Sequence, residues 1–95
     1  MMMYRVALGD TLREIRTEQG RTLRDVSQLA TTALGYLSEI ERGQKEVSSE
    51  ILADVAKTLG FSVGQLITLV GAKMMLDEGV VNPLSFEFDN ELVNH

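Results

Sequence analysis

The sequence predicts an all-α fold, five short helices followed by a tail. Three observations carry this reading. Apolar residues recur at three- and four-residue spacing. Gly20, Gly43, Gly60 and Gly79 punctuate that pattern, and no alternating strand pattern interrupts the first sixty residues. The chain of 95 residues is one small domain in length, and its 44% hydrophobic and 24% charged content is that of a globular protein.

The first helix carries Tyr4, Leu8, Leu12 and Ile15 as one stripe and stops at Gly20. Thr22 caps a second, Leu23 to Ala30, whose inward residues are Leu23, Val26 and Ala30. After the break Thr31-Thr32-Ala33, a third helix runs from Leu34 to Arg42, turns Leu37 and Ile40 inward, and closes at Gly43. Ser48 caps a fourth, with Ile51, Leu52, Val55, Ala56 and Leu59 facing in. Ser62 caps a fifth, Val63 to about Glu78. Residues 80–95 hold the only proline, Pro83, and an isolated Phe86-Glu87-Phe88-Asp89 alternation too short to form a sheet by itself.

Composition excludes several kinds of chemistry. With no cysteine there is no disulfide framework and no thiolate zinc site, and the single histidine is the terminal His95. No catalytic constellation can be assembled, so neither an enzyme nor a cofactor or metal site is expected. The acids Asp77, Glu78, Glu87, Asp89 and Glu91 lack the loop spacing that calcium needs. The apolar run Val63 to Leu76 is interrupted by Gln65, Thr68 and Lys73 and is shorter than the roughly 20 residues of a membrane span. The start has no signal-peptide core, so a cytoplasmic location is expected. The net charge of −5 is uneven: residues 1–60 carry −1 and residues 61–95 carry −4. The helical region is nearly neutral with mixed charges; the acidity lies toward the end.

Helices two and three form the informative pair. Two short helices locked at a fixed angle need apolar residues at set places and a small residue where they touch. Val26, Ser27, Ala30, Leu37 and Ile40 occupy those places. On a helical wheel Gly35, Ser38, Glu39 and Arg42 then point outward, a face that fits a DNA major groove about 12 Å wide.

Thr22-Leu23-Arg24-Asp25-Val26-Ser27 and Leu37-Ser38-Glu39-Ile40-Glu41-Arg42-Gly43 resemble the Cro/repressor-type (XRE) helix-turn-helix family. The likeness covers about residues 7–66, from Leu12-Arg13-Glu14-Ile15-Arg16 to Ala56-Lys57-Thr58-Leu59-Gly60. Leu34 to Glu46 with Ser48-Ser49-Glu50 is more narrowly similar to bacterial activators of Clp protease genes. The resemblance implies a lambda-repressor-like domain over residues 1–62, which binds double-stranded DNA and regulates transcription. It implies an ion pair of Arg16 with Glu41, base contacts from Ala33, Leu34, Gly35, Tyr36 and Glu39, and phosphate contacts from Leu23, Arg24, Arg42, Gln44 and Lys45. An activator would also meet RNA polymerase.

Three residues depart from the family pattern: Thr31 for glycine, Thr32 for an apolar residue, and Ala33 for the Ser or Thr that caps the recognition helix. Thr31 or Thr32 is a candidate substitute cap; a looser turn is the alternative. Tyr36 has a second reading too, as a residue closing the core edge.

The fifth helix is apolar on two faces. Val63, Leu66, Ile67, Val70 and Met74 form a stripe for the core; Leu69, Ala72, Met75 and Leu76 form a second on the opposite side. The economical cover for the second is another copy of the chain, making 63–79 a dimerisation helix and 80–95 an acidic tail. Cover by Leu84, Phe86 and Phe88, within or between protomers, is the alternative. A rival reading of the whole is a protein-interaction module, an antitoxin or adaptor, using that same surface.

Overall fold

Three of the five helices start where a Ser or Thr side chain satisfies a first-turn amide, and all five stop where the backbone turns left-handed. The computed structural model describes residues 2–83. They form α1 (Tyr4–Glu18), α2 (Leu23–Leu29), α3 (Leu34–Glu41), α4 (Ser49–Thr58) and α5 (Val63–Asp77). The fold is all-α, with no strand among the described residues. Residues 84–95 lie outside them, and with them Leu84, the Phe86–Asp89 alternation and His95.

α1 is the central helix, packed on α3 on one side and α5 on the other; α2 packs on α3, and α4 joins α2 to α5. The core is built from Leu8, Leu12, Val26, Leu37, Ile40, Val55, Leu66 and Val70, each almost fully buried. Because Leu66 and Val70 sit in the same core, α5 is part of the domain and not an appended unit. α4 and α5 meet at 95°, and no single helix among the described residues is long and apolar enough to cross a membrane.

The structure corrects the expected stripes at their edges. Tyr4 is 41% exposed, because it stands at the first helical position beside solvent. Leu23 and Ile51 are only partly buried at the rim of the core. Val63 and Ile67 are each 38% exposed. At 100° per residue the inward direction of α5 falls between Leu66 and Val70, which turns Ile67 away from it, while Val63 is exposed as the first residue of the helix. Three helices end one residue earlier than expected, with Ala30, Arg42 and Glu78 as their C-caps.

Two side chains fasten the loop after α1 to the end of α4. Gln19 Nε2 donates to the Leu59 carbonyl at 2.8 Å, and Arg21 Nη1 donates to the Thr58 carbonyl at 2.5 Å. Both carbonyls belong to a helix end that has no intrahelical partners for them.

Candidate nucleic-acid interface

α2 begins with a reciprocal cap. The Asp25 amide donates to Thr22 Oγ1 at 3.0 Å, and the Thr22 amide donates to Asp25 Oδ2 at 3.0 Å. These bonds, the backbone one foremost, hold the Asp25 carboxyl below the usual carboxylate range. At the other end of α2 the Ser27 hydroxyl donates to the Thr32 carbonyl, and the Thr32 amide returns a bond to the Ser27 carbonyl at 2.9 Å. The small residue at the helix crossing therefore also closes the turn.

That turn requires a left-handed residue, and the residue present is Thr31 at φ +52°. A β-branched side chain in this region costs on the order of 1–3 kcal/mol. Neither Thr31 nor Thr32 caps α3: the buried Thr32 hydroxyl donates backward to the Ala30 carbonyl at 3.3 Å. Ala33 is the N-cap and makes no side-chain bond, so the expectation of a substitute cap is corrected. The first turn of α3 keeps its amides free of side-chain partners.

The other end of α3 is held firmly. Arg16 Nε and Nη2 donate to the two Glu41 carboxylate oxygens at 2.8 and 2.9 Å, while Nη1 donates to the Arg21 carbonyl at 3.0 Å. Both partners are largely buried, and the hydrogen bond to Glu41 raises the Arg16 pKa further above its ordinary value. Sequence reasoning missed the second brace. A methyl group on Gly9 would collide with the Ile40 and Glu41 backbone carbonyls, so α1 and α3 touch there because position 9 has no side chain. Gly43, at φ +72°, lies against Val6 in the same way. A lone glycine inside an amphipathic helix was the signal available.

With Leu37, Ile40 and Glu41 buried, α3 presents Ala33, Leu34 and Gly35 to solvent, with Ser38 and Glu39 half-exposed. A side chain at Gly35 would meet nothing within 4 Å. Tyr36 differs from the rest of the expected base-reading set. Its ring packs against the core cluster, and its hydroxyl donates to the Glu46 carbonyl at 2.8 Å, which commits the phenolic proton inside the protein. This is the core-edge position. Arg24, Arg42, Gln44 and Lys45 are all exposed, and Leu23 begins α2 half-buried. The loop bearing Gln44 and Lys45 is tied down by Tyr36 and by an Arg5–Glu46 ion pair at 3.4 Å.

On α5, Leu69 and Leu76 are 42% and 56% exposed, whereas Ala72 and Met75 are half-buried. Leu69, Ala72 and Leu76 line a groove against Ile15 of α1, bridged by a Lys73–Glu14 ion pair of 2.6 Å. The second stripe thus lies beside α1, and with Val63 and Ile67 the apolar surface of α5 is broader than expected.

A family model described as a helix-turn-helix domain matches residues 7–69. The chain belongs to the Cro/repressor-type helix-turn-helix family. Within that family it is similar to the Clp gene regulators. The transcriptional regulator ClgR of Mycobacterium tuberculosis is 46% identical over 76 residues, 80% of this chain and 68% of that protein. The crystal structure of the clp gene regulator ClgR from Corynebacterium glutamicum superposes with a TM-score of 0.78 at 44% identity, over 82% of this chain and 83% of that one. The restriction-modification controller protein C.AhdI from Aeromonas hydrophila superposes at 0.63 with 31% identity, over 65% of this chain and 94% of that one. A helix-turn-helix regulator of this family binds double-stranded DNA.

Proposed function

We propose that this helix-turn-helix regulator is a sequence-specific activator of Clp protease genes that binds a pseudopalindromic operator as a homodimer. The observation that carries it is an α3 whose inner residues and C-terminal end are fixed by α1 while its outer face stays uncovered. Ala33, Leu34, Gly35 and Glu39 sample base edges; Leu23, Arg24, Arg42, Gln44 and Lys45 grip phosphates. Helix N-termini hold anions without a basic side chain, which suits the Leu23 amide.

The exposed Leu69 and Leu76, with Ala72 and Met75, support α5 as the dimerisation helix. A twofold dimer sets two recognition helices about 34 Å apart, one helical turn of DNA. The activator role is supported by the similarity to Clp gene regulators and adds RNA polymerase as a partner. The reading includes a cytoplasmic location and no enzymatic activity. Residues 1–62 act as the DNA-binding part, 63–79 as the dimerisation helix and 80–95 as an acidic tail.

The test is selection of bound duplexes from a random library, with an Arg42→Ala, Glu39→Ala double variant in parallel. Enrichment of a palindrome with half-sites one turn apart, weakened in the variant, is the expected result. A protein that enriches nothing at low salt and instead forms a heterocomplex through α5 would be the rival interaction module.

A further inference from the structure

A second groove lies where α1, the start of α2 and the end of α3 converge. Its floor is the Arg16–Glu41 pair, and its sides are Arg13 and Asp10 on α1, Leu23 on α2, and Ser38 and Arg42 on α3. The floor is electrically closed. Arg16 commits three of its five N–H donors to Glu41 and the Arg21 carbonyl, and the two charges balance each other.

Arg13 and Arg42 are different. Both are exposed, and neither makes an ion pair or side-chain hydrogen bond among the described residues. Glu14, the acid next to Arg13 in sequence, is turned away to Lys73. Asp10, the remaining carboxylate of the groove, leaves it a net charge of +1. Two uncommitted guanidinium forks above a neutral floor match the planar bidentate recognition of a phosphate.

We infer that this groove seats one phosphate of the DNA backbone, with Arg13 of α1 as a ligand alongside Arg42, and with Asp10 weakening the grip. The inference rests on the DNA-binding reading and adds to it a contact from α1, outside the helix pair. Asp10 gives it a sign of its own: removing that carboxylate tightens binding at this seat.

The experiment measures affinity for a duplex of mixed sequence across salt, from about 50 to 200 mM, with the full chain. Each phosphate contact contributes about −0.9 to the slope of log K against log salt. Arg13→Ala is expected to flatten that slope by about one contact, so its deficit against wild type shrinks roughly threefold over the range. Arg13→Lys keeps the slope, and Asp10→Asn raises affinity. Lys57→Ala, which removes an equal charge from α4, leaves the slope unchanged. Thermal melting of each variant checks that the fold is retained. Wild-type slope in Arg13→Ala, or equal flattening in Lys57→Ala, overturns the seat while leaving DNA binding intact. Absence of salt-dependent binding by the wild type removes the DNA reading itself.

Discussion

The two ends of α3 are built in opposite ways. Its C-terminal end is fixed three times over, by the Arg16 fork on Glu41, by contact with Gly9, and by Gly43 against Val6. Its N-terminal end has an alanine cap without a side-chain bond and a threonine in the left-handed region just before it. The bracing stands where α3 meets α1. Where α3 faces outward, amides are left unsatisfied and the chain carries strain. Position and rigidity of the helix are secured from behind, and the binding end is left open.

The largest test of that contrast is Glu41→Ala. It strands the largely buried Arg16 guanidinium, and the expected loss is about 3–5 kcal/mol in urea denaturation. A loss under about 1 kcal/mol would mean that the pair does not hold the helix. Gly9→Ala comes next. Helix propensity alone would stabilise by about 1 kcal/mol, but the methyl group runs into two backbone carbonyls. A net loss of about 1–3 kcal/mol is expected, so the sign of the change decides whether the close approach is real.

At the open end the sign reverses. Thr31→Gly relieves the left-handed strain at the cost of some added chain entropy, for a net gain of about 1 kcal/mol. A lower melting temperature for this variant would show that Thr31 makes compensating contacts. The smallest effect is electrostatic. Asp25 has a folded-state pKa below its ordinary value, so its contribution is complete above the usual carboxylate range and disappears as pH falls through the lowered value. The difference in melting temperature between wild type and Asp25→Asn should therefore be flat near neutrality and shrink in acid.

Features set by neighbours in sequence were legible. The caps at Thr22, Ser48 and Ser62 and the inward positions of Leu37 and Ile40 follow from local spacing, and the structure has them. What escaped depends on approach between distant segments. The spacing of α1 cannot reveal that Gly9 touches α3, and a wheel cannot decide whether a flanking Tyr36 turns in or out. Nothing local marks the partner of Arg21, because its target, the Thr58 carbonyl, is 37 residues away. Ile67 turns outward because the inward direction of α5 is set by the helices it packs on, α1 and α4, and Val63 because it opens the helix. Thr31 was recognisable only as a departure from a pattern, and its backbone angle supplies the physical reason the pattern has glycine there.

The two arginines also form a relay. Arg16 joins α3 to the carbonyl of Arg21, and Arg21 joins that same loop to the end of α4. Local opening of the C-terminal half of α3 would have to break this relay, which reaches the far side of the core. The Ile40 and Glu41 amides are therefore expected to be among the protected ones in hydrogen exchange, while the Leu34, Gly35 and Tyr36 amides, which have no intrahelical acceptor, are expected to exchange freely. A single short helix thus carries guarded amides at one end and open ones at the other.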